Sequence, residues 1–288
     1  MKKKITVIGG GGFIGSHVVD CLISRGHDVK IFDKKKSIFF KKYKKYYTGN
    51  ILSSKTLDKI LKNTEIVYNF AALADIDIAM YKPIETAKTN IVGVTKLLSL
   101  CKKHKVERFV QASSIYANSQ EGGFYAISKR SAEDYIEEFS NIFNLKYTIL
   151  RFGSLYGHRA DKNNGIKKLI TDGIRNNSLT YRGSKKASRR YIHVEDAAKL
   201  CCEILKKKYI NKCLVITGKK TVKVKNLISF FAKKLNINKK RIKFKNEKKT
   251  GHYSTVPTAI KSKEGSRLFL KNEKNFKKSL SSLINENL

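Results

Sequence analysis

Lys4-Ile5-Thr6-Val7-Ile8-Gly9-Gly10-Gly11-Gly12-Phe13-Ile14-Gly15 is the stretch whose reading decides the fold. A short apolar run with strand character stops at four consecutive glycines, and a helical pattern then continues to about Arg25. Strand, glycine turn and helix in that order form a cradle for a dinucleotide. Glycines at 9, 12 and 15 have separate duties: the first turns the chain, the second lets the backbone approach a pyrophosphate, and the third lets helix and strand pack closely. Phe13 and Ile14 complete the turn, where the helix N-terminus offers free N–H groups and a partial positive charge to phosphates.

Working outward, Asp28–Phe32 reads as a second strand, and Asp33 ends it 18 residues beyond Gly15. A carboxylate there can accept both hydroxyls of an adenosine ribose and would repel a 2′-phosphate, so the expected cofactor is NAD. Lys34, Lys35 and Lys36 follow directly and soften that preference. Further strands are expected at Glu65–Phe70, Glu107–Ala112 and Tyr147–Leu150, with helices at Ile84–His104 and Phe124–Asn144 between them. This alternation predicts an α/β protein of the Rossmann type, a doubly wound parallel sheet covered by helices. After Leu150 the alternation loosens into helical patterns at Gly165–Asn176, Val194–Lys207 and Val224–Leu235, with short strand-like runs at Leu214–Thr217 and Ile242–Phe244. The expected organisation is a cofactor-binding core over residues 1–150 and a small mixed C-terminal lobe over 151–288, interleaved with the end of the core. Beyond about Lys245 the pattern assigns no element.

Tyr125-Ala126-Ile127-Ser128-Lys129 opens the second of those helices, and positions four apart share a helical face. An ammonium beside a phenol favours the phenolate, so Lys129 is expected to lower the Tyr125 pKa toward working pH. Such a tyrosine takes a proton from a sugar hydroxyl while the carbon's hydride passes to the cofactor. Upstream, the strand through Ala112 ends at Ser113-Ser114, placing a hydroxyl at the carboxyl edge of the sheet, where open α/β folds bind ligands. Ser114, 11 residues before Tyr125, is preferred over Ser113 as the hydrogen-bonding partner of the reacting oxygen.

Composition narrows the classes. With 41% hydrophobic and 10% aromatic residues the chain can bury a full core, which excludes wholesale disorder. No stretch approaches the ~20 apolar residues of a membrane span, and the apolar run after Lys2-Lys3-Lys4 is too short for a signal peptide. The five cysteines form no CxxC pair or metal-ligand spacing, so no metal is expected and a reducing, cytoplasmic compartment is.

The net charge of +38 comes from 50 Lys and 11 Arg against 23 acidic residues. Residues 1–200 carry 37 basic and 18 acidic groups, and residues 201–288 carry 24 and 5, a net of +19 in each. Lys34–Tyr47 interleaves seven lysines with five aromatics, a composition that could track single-stranded nucleic acid. Its place as the loop between the Asp33 strand and Asn50 argues instead for an exposed edge with partly buried rings, and most of the lysine excess reads as solvated surface.

Taken together, these residues resemble the extended short-chain dehydrogenase/reductase superfamily, in its NAD-dependent epimerase/dehydratase branch. The resemblance covers roughly residues 4–216. It includes Gly9/Gly12/Gly15, Asp33, Gly49-Asn50-Ile51, Phe70-Ala71-Ala72, Thr89-Asn90, Ser114, Tyr125/Lys129, Leu150-Arg151-Phe152 with Tyr156-Gly157, and Arg189-Arg190-Tyr191-Ile192-His193-Val194. It implies that Asn50 and Ile51 contact adenine, with Asn50 standing where an aspartate is usual. It also implies that Phe70, Ala71, Ala72 and Asn90 line the cofactor cleft, and that Arg189 grips the diphosphate of a nucleotide-sugar substrate. The chain departs from UDP-glucose 4-epimerase-like members at Ser154, where a substrate-binding asparagine is usual. It departs again at His158, in place of a proline, and at Arg190, in place of an aspartate.

Among the branch's reactions, a dehydratase needs an Asp-Glu pair after the active-site serine or threonine, and here Ile115 and Tyr116 follow Ser114. His193 is expected to fix its own turn. What remains is inversion at C4 of a nucleotide sugar through a transient 4-keto intermediate. The alternatives are an oxidoreductase or dehydratase of the same fold and, remotely, a basic nucleic-acid-binding module. The resemblance further implies a homodimer, formed where the two long helices of such folds pair between subunits.

Overall fold

The computed structural model describes residues 1–245 and 265–288. Six strands build the front of the chain: β1 (Lys4–Ile8), β2 (Asp28–Asp33), β3 (Tyr46–Thr48), β4 (Ile66–Asn69), β5 (Arg108–Ser114) and β6 (Lys146–Phe152). They lie in the order β3-β2-β1-β4-β5-β6, and Lys212–Ile216 and then Ser266–Arg267 extend the sheet beyond β6. Every neighbouring pair is parallel. The order reverses between β1 and β4, so the crevice at their carboxyl ends is the topological switch point where open α/β sheets take ligands.

Strand alternation explains the layers. Side chains two apart share a face: Ile5 and Val7, Val29 and Ile31, Ile66 and Tyr68, Val110 and Ala112, Leu150 and Phe152 all join one core cluster. That cluster is closed by the helices Phe13–Ser24 and Val194–Glu203. The intervening Ile8, Phe32, Val67, Phe109 and Ile149 join the opposite cluster, closed by Ser54–Leu61, Gly93–Lys103 and Gly123–Phe143. With both faces covered, the strands read as near-continuous apolar runs. A third cluster, including Tyr156, Ile170, Leu179, Leu227, Phe231, Leu280 and Ile284, forms away from the sheet. Around it stand two small sheets, Ser154–Tyr156 with Ser188–His193 and Thr221–Lys223, and Leu179–Arg182 with Ile242–Lys245.

Several expectations change in detail. The lysine–aromatic segment supplies the edge strand β3, with Phe40 buried and the Tyr43 hydroxyl donating to Val29 O at 2.7 Å. The helix expected over 84–104 starts at Pro83, which needs no N–H in a first turn, and loosens into a π turn at Lys88–Val92 before resuming at Gly93. The helix expected to run from Val194 to Lys207 stops at Glu203. Beyond Lys245, Ser266–Arg267 pairs with the sheet and Phe276–Asn285 forms a helix, neither of which the sequence pattern assigned. Among the described residues no helix is long and apolar enough to cross a membrane.

Leu97 is fully buried between the sheet and its helical cover. Leu97→Ala should lower unfolding stability by about 2–5 kcal/mol, read as a shift of the urea midpoint with an unchanged slope.

Candidate active site

The glycine turn is built as a cradle. Gly9 has φ +74°, a left-handed conformation that favours glycine, and a Cβ there would lie 2.5 Å from Ala71 N and 2.7 Å from Phe70 C. Its N–H donates to Phe32 O at 2.7 Å. A Cβ on Gly15 would collide with Gly9 O, so the third glycine sets how closely helix and strand meet. The helix then starts at Gly12 with no side-chain cap on its first N–H groups and no acidic residue in its first turn. Those uncapped donors, with no carboxylate competing for them, fit the pyrophosphate of a dinucleotide.

Asp33 stands over this turn: one carboxylate oxygen accepts from Gly11 N at 3.0 Å and the other from Lys34 N at 2.7 Å. Sequence reading missed Tyr46, whose hydroxyl donates to Lys35 O at 2.7 Å and accepts from Ser37 N at 3.1 Å, folding the lysine-rich loop against Gly11. Burial, and then the nearby Asp33 charge, push the Tyr46 phenol up to about 12. Asn50 is exposed and its amide oxygen accepts from Leu52 N at 3.0 Å, while Ile51 packs beneath, against Gly93.

Phe70, Ala71 and Ala72 follow β4 directly, half-buried beside Gly9. Asn90, expected to line the cleft, has its amide engaged elsewhere. Its oxygen accepts from Leu73 N at 2.8 Å, and its nitrogen donates to Leu73 O and to Ser128 Oγ, each at 3.0 Å. It sits in the π turn, a local widening that recurs at functional sites, and braces the loop after β4 against the helix that carries Tyr125.

The catalytic candidates converge. Ser114, Tyr125 and Lys129 are 6%, 8% and 4% exposed. Ser114 caps the turn Ile115–Asn118 by accepting from Tyr116 N at 3.3 Å, and it hydrogen-bonds the Tyr125 phenol. Ser113 is committed elsewhere, donating to the Glu133 carboxylate. Lys129 Nζ lies 5.7 Å from the Tyr125 ring centroid and donates to Ala112 O at 2.9 Å.

The expectation that the cation lowers the tyrosine pKa does not describe the protein by itself. Burial drives the Tyr125 phenol up to about 12, with the Ser114 hydrogen bond pulling it back only in part. The same burial lowers Lys129 to about 8, opposed by Glu133.

Ser154 and Arg189 lie on the neighbouring strands Ser154–Tyr156 and Ser188–His193 of the small sheet, where Ser154 pairs with Tyr191. Arg189 is buried, donates to Ser188 O at 2.9 Å, and is close enough to Tyr181 to act on its phenol. His193 caps the helix Val194–Glu203 by accepting from Glu195 N at 3.3 Å, and burial lowers it to about 4, which suits a neutral cap. At His158, the second departure, His17 contacts the His158 carbonyl at 3.0 Å and Arg159 pairs with Asp20 at 2.7 Å, tying this loop to the helix Phe13–Ser24. Among the described residues no group of His, Cys, Asp or Glu could hold a metal ion.

A parallel sheet with a glycine cradle at its switch point, an aspartate at the end of the second strand bonded to that cradle, and serine, tyrosine and lysine at its carboxyl edge defines a short-chain dehydrogenase/reductase. A profile of the NAD dependent epimerase/dehydratase family matches residues 5–216, and the chain belongs to that family, with NAD as its cofactor.

It is similar to a putative UDP-glucose 4-epimerase of Methanocaldococcus jannaschii, with 29% identity over 242 residues, 75% of this chain and 78% of that protein. It is also similar to a UDP-N-acetyl-alpha-D-glucosaminuronate decarboxylase of Bacillus cytotoxicus, 30% identical over 227 residues, 68% of this chain and 69% of that one. Among solved structures, UDP-glucose 4-epimerase of Thermotoga maritima with UDP-glucose superimposes with a TM-score of 0.84 at 25% identity, covering 98% of this chain and 97% of that chain.

Gly9→Ala places a methyl group on the Phe70–Ala71 peptide and strains the turn. The expected outcome is loss of NAD binding by at least about tenfold, an effect of ~1.4 kcal/mol, measured by calorimetric titration.

Proposed function

We propose that this protein is an NAD-dependent epimerase that inverts C4 of a nucleotide sugar through a transient 4-keto intermediate. The observation that carries the reading is the sealed Ser114–Tyr125–Lys129 arrangement, in which the residues after Ser114 are the buried Ile115 and Tyr116. No carboxylate pair stands there to eliminate water, which argues against a dehydratase. NAD, when bound, supplies the hydride acceptor and a positive nicotinamide that favours the phenolate.

The rest falls to the chain. Tyr125 takes the proton of the sugar hydroxyl at its phenol oxygen and later returns it. Ser114 holds that oxygen in line through its own hydroxyl. Lys129, fixed on the Ala112 carbonyl, supplies the positive field in a site closed to water. Asp33 takes the adenosine ribose, Asn50 and Ile51 the adenine edge, and Ser154 with Arg189 the sugar nucleotide, the guanidinium fork suiting diphosphate oxygens. The cluster outside the sheet, within 151–288, is the substrate lobe.

The exposed Tyr81, Ile84, Phe124, Ile127, Tyr135 and Ile142 lie on the two long helical segments and their approach, which supports a homodimer through that surface. Five free thiols support a reducing, cytoplasmic setting.

Incubating the purified protein with UDP-, GDP- and dTDP-sugars tests the proposal. Epimerised product without net NADH is expected. Stoichiometric NADH would make it an oxidoreductase, a 4-keto-6-deoxy product a dehydratase, and released carbon dioxide a decarboxylase. Tyr125→Phe should reduce turnover by ~10² or more with NAD binding retained; near-normal turnover would remove Tyr125 from the chemistry. Because the Lys129 ammonium is present below its pKa and lost above it, kcat should fall as pH rises through about 8.

A further inference from the structure

The face that carries Tyr125 and Lys129 continues one turn further to Glu133, each residue four beyond the last. Glu133 is 2% exposed, and an unpaired carboxylate in such a place is strongly disfavoured. Arg151 of β6 meets it with Nε at 3.0 and 3.2 Å from its two oxygens and Nη2 at 2.5 Å, both side chains being fully enclosed. Ser113 of β5 donates to the same carboxylate. One residue to either side on β5, Ala112 accepts the Lys129 ammonium and Ser114 bonds the phenol. A single carboxylate thus joins the catalytic helix, the strand of the serine and the strand beyond it.

A buried ion pair is weak evidence of stabilisation, because well-packed apolar residues often serve as well. The position beneath Lys129 calls for another reason. We propose that Glu133 is a positioning residue for the Tyr125–Lys129 pair: anchored by Arg151 and Ser113, its carboxylate keeps Lys129 charged on the Ala112 carbonyl and sets the strand end that presents Ser114. The inference rests on the role given above to Lys129. Tyr125 and Glu133 share the helix of Lys129, Arg151 faces it from β6, and Tyr116 edges onto Tyr125 from the turn after β5. On the segments packed against that helix, Asp75 is turned to Ile78 N as a cap, Lys102 lies over the Phe143 ring, Arg108 donates to Ile204 O, and Asp77, Glu85, Lys88, Lys96, Lys103 and Lys146 are the other charged groups. Of all these, Glu133 is the group whose charge opposes the loss of the Lys129 proton.

The test follows the Lys129 titration in the cofactor-free protein through the Cε resonances of labelled lysine, with Lys129 identified by its disappearance in Lys129→Met. Glu133→Gln should lower that titration by about one pH unit or more, and the alkaline limb of kcat should move the same way. Glu133→Asp, which keeps the charge, should leave both near their original pH. Should Glu133→Gln not fold, Glu133→Gln/Arg151→Met removes both buried charges and should show a smaller downward shift, because loss of the Arg151 cation offsets part of the loss of the carboxylate. An unmoved Lys129 titration in either folded variant overturns the proposal, and failure of both to fold would make the pair a requirement of the fold and overturn it as well. A moved titration in a protein with no epimerase activity would sink the functional reading alone.

Discussion

Only a hydrogen fits at Gly9, and the cofactor cleft is built on that restriction. Its left-handed turn holds the chain against the Phe70–Ala71 peptide while its N–H reaches Phe32 O, so one residue joins the ends of β1, β2 and β4. The order of strands puts the crevice there, and the turn determines how narrow it is. Gly15, pressed on Gly9 O, then fixes the helix whose uncapped N–H groups face the crevice. Asp33 and the loop pinned by Tyr46 close the same turn from above. A change at the first glycine would therefore propagate to the helix start, to Asp33 and to the Phe70–Ala71 segment around the same turn.

The catalytic side is governed by a few enclosed charges in a chain of net charge +38. Exposed lysines act through water and salt, whose screening length is about 8–10 Å. Lys129, Glu133 and Arg151 act on one another in the interior, where the effective dielectric is lower. On the proposed reading, the reactivity of Tyr125 depends on three or four side chains and one backbone carbonyl, whatever the lysine content of the surface.

Much of this was legible in the sequence, for local reasons. The glycine spacing, Asp33 at a strand end and the four-residue step from Tyr125 to Lys129 are short-range patterns whose geometry follows from one strand or one helix. The preference for Ser114 over Ser113 was attached to its spacing of 11 residues before Tyr125, and the commitment of Ser113 to Glu133 supports it. What could not be read depends on contacts far apart in the chain. Arg151 was visible as part of Leu-Arg-Phe, but its partner 18 residues earlier on a helix was not. The step of four from Lys129 to Glu133 was a signal that could have found it. The Tyr125 phenol was expected to be acidified by its neighbour; enclosure, which no local pattern reports, outweighs that neighbour in the protein by itself. Tyr46–Thr48 was hidden because an edge strand of only three residues, Tyr-Tyr-Thr, directly after a lysine-rich stretch is too short to carry an alternation.

The last two strands of the large sheet have a consequence for how such a protein can be altered. After Phe152 the chain leaves the sheet, returns for Lys212–Ile216 beside β6, leaves again, and returns for Ser266–Arg267 at the edge. The small lobe is therefore woven from two excursions, each stitched back into the core by a strand, and from the helix Phe276–Asn285 that follows the second return. A single fusion point cannot transplant it from a relative: a chimera needs three separate segments, each with its own compatible junctions to the sheet. Each strand between them must keep its partner, or the exchanged specificity arrives with a frayed sheet.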